Sequence, residues 1–204
     1  MKTVGCEVAY RSGLLAATMR LREPLGRTTP CGRFQILTYH HVGDGTDSYV
    51  AATPVAVFER HMRYLSANFR VLSLSALIAA AQADRVPTRA IAITFDDGYA
   101  DTFTHAYPVI RRYGVPATVF LATGLINEDG AMWNDRIGVA FRDTQRSYVD
   151  AVDGSGPMSL ATPVARRVAF ERTLDHLKWR PPRERDRLVR EIGESLAVSS
   201  ERVP

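Results

Sequence analysis

Cysteine is scarce. Cys6 and Cys31 are the only two in 204 residues, they lie far apart, and they form no C-x-x-C pattern. A pair like this describes no disulfide framework and reads as two incidental thiols. Long apolar runs are also missing. The longest uncharged stretches fall well short of the ~20 residues a membrane-spanning helix needs. The start of the chain makes a poor leader: Lys2 supplies a positive charge, but Glu7 and Arg11 break up the next stretch, and Leu14-Leu15-Ala16-Ala17 is too short for an apolar region. The cytoplasm is the default expectation.

An excess of one charge is absent from most of the chain. Residues 1–33 carry six basic groups against two acidic ones, which accounts for the whole formal charge of +4; residues 34–204 hold 20 of each sign. A nucleic-acid surface needs a basic patch or stripe, so the balanced body excludes that class of partner. The basic arm at 1–33 has the charge to lean weakly on an anionic membrane surface, at about 1 kcal/mol per basic residue, or simply to be solvated. With 46% hydrophobic and 24% charged residues, disorder and fibrous architectures are excluded, and the length suits one ordinary domain.

From about residue 33, short apolar runs alternate with helical stretches, the pattern of an α/β fold with parallel strands. Strands are expected at 34–40, 89–95, 117–122 and 146–152. Helices are expected from Pro54, with Phe58, Met62, Leu65 and Phe69 on one face, from Ser73 or Ser75 to Ala83, and from Ala100 to Tyr113 with Gly114 ending it. Gly43 to Ser48 and Gly124 to Gly130 read as loops, Trp133-Asn134-Asp135 as the opening of a short helix, and residues 153–157 as a turn. Beyond Thr162 comes an Arg-rich helical pair, one helix starting at Pro163 and a second near Arg183 after the Pro181-Pro182 break.

The strongest chemical signal is Thr94-Phe95-Asp96-Asp97-Gly98-Tyr99, where two carboxylates stand at the end of an apolar strand and a glycine lets the chain turn. In parallel α/β folds, ligands gather at the carboxyl ends of strands. Two adjacent carboxylates can divide labour, one binding a metal and the other taking a proton from water. The alternative is a strand-to-helix turn with Asp as its cap.

These six residues also resemble the first motif of the polysaccharide deacetylase family, the NodB-like carbohydrate esterases. Ile36-Leu37-Thr38-Tyr39-His40-His41-Val42, the helix segment 58–65, Tyr107-Pro108-Val109-Ile110 and the run Gly114 to Leu121 are similar to family segments in the same order, over roughly residues 34 to 142. The resemblance implies an α/β fold, a partial or distorted (β/α) barrel in residues 34–204 with the Arg-rich pair (160–204) as an insertion or cover. It implies metal-dependent removal of acetyl groups, most often N-acetyl groups, from a carbohydrate polymer. Position by position, Asp96 would be the catalytic base and Asp97 a ligand of a zinc-like divalent metal.

The sequence departs from the family pattern in one respect. Members complete the metal site with an H-[S/T]-x-x-H segment and carry a later Leu-x-His. Here the histidines are His40, His41, His61, His105 and His176, and no pair has the required spacing. A catalytic zinc takes three protein ligands, so Asp97 alone would not hold one. The expectation is an N-terminal portion of a deacetylase, inactive by itself, with the second half of the active site not in this chain. The alternative is a non-catalytic carbohydrate-binding or scaffold relative. His61, His105 and His176 fall in helices and read as packing or surface residues. Since neighbours on a strand face opposite sides, at most one of His40 and His41 can line the site, and His40 is the candidate, with a satisfied structural histidine as the alternative. Trp133 is either core or a platform for a sugar ring. A haloacid-dehalogenase-type phosphatase would need an acid where Gly98 stands, and nothing marks the separated carboxylate pair of a glycoside hydrolase.

Overall fold

A computed structural model of the chain describes residues 33–44, 49, 52–126 and 131–198. The basic arm, apart from Arg33, lies outside the described residues, as do Cys6, Cys31 and parts of both glycine-rich loops (45–48 and 127–130).

The fold is mixed α/β and is organised around β5 (Ala90–Phe95), all six residues of which are buried. The uninterrupted apolar run explains this, because a strand covered on both faces need not alternate. One edge of β5 pairs with β1 (Phe34–Tyr39) over its full length, from Phe34 opposite Ala90 to Tyr39 opposite Phe95. Along the other edge, β4 (Arg70–Leu72) pairs with residues 90–92 and β6 (Thr118–Val119) with Thr94 and Phe95. All of these pairings are parallel. The strand expected at 117–122 thus pairs over two residues, and β4 is a strand too short for periodicity to mark.

Helix α1 (Val55–Asn68) buries Phe58, Met62 and Leu65 at helical spacing. They pack against Ile91, Ile93 and Phe95 on one face of β5, together with Val109 of α3 (Tyr107–Tyr113). On the opposite face, Ala90 and Ala92 meet Leu77 of α2 (Leu74–Gln82), whose first turn is capped by the Ser73 hydroxyl accepting from Ala76 N–H at 3.2 Å. The helical stretch leading into α3 contains a π-type turn at Thr102–Ala106. Pro108 explains the irregularity, since it has no N–H to offer the Thr104 carbonyl. Gly114, at φ 61°, ends α3 in the left-handed region.

Phe34, Ile36 and Leu37 of β1 are exposed, as are Val119, Phe120 and Leu121 around β6. Among the described residues the sheet is open and no strand covers the outer edge of β1.

A second core lies in the C-terminal half. Helices α4 (Trp133–Asp143), α5 (Pro163–Lys178) and α6 (Pro182–Ser195) pack Ile137, Phe141, Phe170, Leu177, Val189 and Ile192 together. The antiparallel hairpin of β7 (Tyr148–Asp150) and β8 (Pro157–Ser159) adds Val149. Trp133, partly buried, packs against this cluster with the Arg185 guanidinium 5.1 Å from its ring. Arg166 of α5 donates to the carbonyls of Phe141 at 3.2 Å and Thr144 at 3.1 Å, closing the last turn of α4. Two short parallel strands, β2 (His41–Gly43) and β3 (Ala52–Pro54), flank the sheet. Among the described residues no helix is long and apolar enough to cross a membrane.

Candidate active site

Asp96 and Asp97 come directly after β5. Asp96 N–H donates to the Tyr39 carbonyl at 2.9 Å, which ties the turn to the end of β1, and Ala122 N–H donates to the Asp97 carbonyl at 3.2 Å, which ties it to the segment after β6. Between these two anchors the chain doubles back: Gly98 N–H reaches the Asp96 carbonyl at 2.9 Å. Asp97 has φ 71° and Gly98 φ 76°, two consecutive left-handed residues. Glycine takes that conformation freely, whereas for an aspartate it costs roughly 1 kcal/mol, and an aspartate held there is over-determined by its surroundings.

Asp96 is open to solvent. Its Oδ2 lies 3.9 Å from His40 Nε2, with the Asp96 and His40 side chains 40% and 55% exposed. That separation is beyond a hydrogen bond, so the pair is a charge contact only when the imidazole is protonated. His41 also reaches this segment. The chain bends at His40 and β2 begins at His41, so the strict alternation expected of one continuous strand does not apply. His41 Nδ1 is 2.6 Å from Asp101 Oδ2, and its ring lies against Tyr99 with centroids 3.6 Å apart.

Tyr99 in turn donates its hydroxyl to Asp135 Oδ2 at 2.8 Å, and Asn134 Nδ2 donates to Asp135 Oδ1 at 3.1 Å. Asp135 is 9% exposed. Burial raises its carboxyl above the ordinary value, and the Tyr99 hydrogen bond opposes this. Burial likewise pushes the Tyr99 phenol up. His41 Nε2, Asp101 Oδ1 and Thr102 Oγ1 are buried without a hydrogen-bond partner among the described residues. The other histidines are structural: His61 Nδ1 meets the Tyr39 hydroxyl at 3.0 Å, His105 Nδ1 the Val42 carbonyl at 2.9 Å, and His176 Nε2 the Arg180 guanidinium at 2.7 Å.

Sequence pattern assigned no role to Asp101, Tyr99 or Asp135. Only the tyrosine within the Asp-Asp-Gly-Tyr string hinted at one. Among the described residues, no three His, Cys, Asp or Glu side chains converge to hold a metal. The donors present therefore do not fit a zinc-like ion on their own.

A parallel α/β sheet that presents two carboxylates at the carboxyl end of its central, fully buried strand belongs to the class of folds that carry their chemistry at strand ends. Residues 83–157 match the family model for polysaccharide deacetylase. One relative is YxkH of Bacillus subtilis, whose name assigns it to the polysaccharide deacetylases; it is 35% identical over 97 residues, covering 47% of this chain and 34% of that protein. Another is the poly-beta-1,6-N-acetyl-D-glucosamine N-deacetylase of Staphylococcus aureus, 32% identical over 73 residues, covering 35% of this chain and 25% of that protein. The matched stretch thus spans about a third or less of the curated relatives. Among solved structures, the Streptococcus pyogenes deacetylase PplD aligns at 24% identity with a TM-score of 0.44, covering 49% of this chain and 47% of that one. IcaB from Ammonifex degensii aligns at 19% identity with a TM-score of 0.41, covering 78% and 80%.

Proposed function

We propose that this chain carries the carboxylate half of a metal-dependent polysaccharide deacetylase, which hydrolyses N-acetyl groups on the amino sugars of a carbohydrate polymer. The observation that carries the reading is the Asp96-Asp97 pair at the carboxyl end of β5, inside the segment that matches the family. In this reading Asp96 is the base: it takes a proton from the water that attacks the acetamide carbonyl, and its exposure leaves room for substrate. His40 lines the same rim. The Asp97 carboxylate belongs to the metal site, and the other ligands come from outside the described residues. The donors present do not hold a metal, so no step of the reaction is routed through one. The open sheet supports a barrel completed by further strands, since its exposed apolar residues are of the kind a closing strand would bury.

The test is acetate release from an N-acetylglucosamine oligomer in the presence of divalent metal, by two proteins. The first is this chain alone, for which little or no turnover is expected; robust turnover sinks the two-part reading. The second is a chimera of the B. subtilis relative with its corresponding segment replaced by residues 34–142. It is expected to release acetate, and its Asp96→Asn version is expected not to. A folded chimera that binds the oligomer without turnover would mark a carbohydrate-binding relative instead.

A further inference from the structure

The carboxylate turn is reached from behind by one buried side chain of the helical half. Asp135, in the first turn of α4, accepts from the Tyr99 hydroxyl at 2.8 Å, and Tyr99 comes immediately after Asp96-Asp97-Gly98. The Tyr99 ring is backed by His41, which is itself held by Asp101 at 2.6 Å. The second Asp135 oxygen is fixed by Asn134. Side chains from β2, from the segment after β5 and from α4 therefore interlock at the turn. His41, Tyr99, Asp101 and Asp135 belong to none of the apolar clusters of the sheet or of the helical half. Asp97 sits in a backbone conformation that glycine adopts freely and that costs aspartate roughly 1 kcal/mol.

We propose that Asp135, acting through Tyr99, is a positioning residue that holds the turn after Asp96, with Asp97 and Gly98 at positive φ, so that the helical half sets the geometry of the candidate site. The importance of that geometry rests on the deacetylase reading; the contact itself does not.

Hydrogen exchange of the full chain, followed by mass spectrometry, tests this without substrate or metal. The informative amides are Asp96, Gly98 and Thr102, which are bonded to the carbonyls of Tyr39, Asp96 and Tyr99. Tyr99→Phe and Asp135→Ala are each expected to speed exchange over residues 96–102 by about tenfold, with α5 and α6 unchanged. The double variant is expected to exchange no faster than either single one, because both break the same bond. Asp135→Asn keeps an acceptor oxygen and is expected to restore most of the protection. Unchanged exchange over 96–102 in Tyr99→Phe, additive effects in the double variant, or failure of Asn to restore protection would each overturn the proposal. If Asp135→Ala loosens the whole helical half, Tyr99→Phe decides alone, since it removes only a hydroxyl. Loss of acetate release in the chimera with this exchange pattern intact would count against the deacetylase reading and not against the clamp.

Discussion

Leu121 closes on Gly98 so tightly that a Cβ added to the glycine would stand 2.5 Å from Leu121 Cδ2. The atom in the way is the tip of a side chain that is 58% exposed and can swing aside, so the lasting penalty of Gly98→Ala is the backbone at φ 76°. That predicts a loss of about 1–2 kcal/mol, read from the urea midpoint. Trimming the neighbour in Gly98→Ala/Leu121→Ala is expected to recover little of it. Full recovery would make the side-chain contact the cause.

His61 predicts a pH dependence of stability. Burial and nearby Arg60 hold its imidazole below the ordinary value of 6.5. Between that value and the lower folded one, the unfolded chain binds more protons, so stability rises with pH. The contribution is fully present above 6.5 and is lost as pH falls through the folded value. The partner hydroxyl of Tyr39, pushed up to about 12 by burial, stays protonated throughout. In His61→Gln the slope of the urea midpoint against pH should be shallower just below 6.5. An unchanged slope would place the titration elsewhere.

Arg166 gathers carbonyls that would otherwise be unsatisfied at the end of α4. Arg166→Ala is expected to lower stability by about 1.5–3 kcal/mol, the range for hydrogen bonds to a charged group. Lysine at this position keeps the charge but not the forked donors, so Arg166→Lys should recover only part of the loss. Both are measured by urea denaturation.

The outer edge of β1 predicts how the chain behaves when concentrated. An uncharged, apolar edge strand is a template for pairing with other chains. Ile36→Lys is expected to lower light scattering on concentration or heating while leaving the urea midpoint within about 0.5 kcal/mol. Scattering equal to that of the parent chain would show that the edge takes no part.

Local pattern carried far into this fold, because α1, α2 and β5 arise from rules that act within a few residues. The spacing of Phe58, Met62 and Leu65 and the Ser73 cap are of this kind. The candidate site was legible where its residues are contiguous, at Asp96 and Asp97. It was not legible where it depends on long-range contact: Tyr99 and Asp135 are 36 residues apart, and nothing near Asp135 marks it as more than an acid in a first helical turn. The bend at His40 was invisible for a related reason. It lies next to a long-range contact, the Asp96 amide bonded to the Tyr39 carbonyl, that local sequence does not reveal. The sequence marks β1 as a strand, but its composition does not say whether a neighbouring strand covers its outer edge.

The separation of the apolar clusters of the sheet from that of the helical half bears on how the protein comes apart. The bridges between the sheet and the helical half include the Tyr99 to Asp135 bond and the packing of Tyr49 on Phe170, ring centroids 5.1 Å apart. Units joined this sparingly need not melt as one cooperative block. Partial melting of the C-terminal helices would then reach the carboxylates before the strands beneath them gave way, and heat would disorder the Asp96-Asp97 turn at temperatures where most of the sheet is still folded.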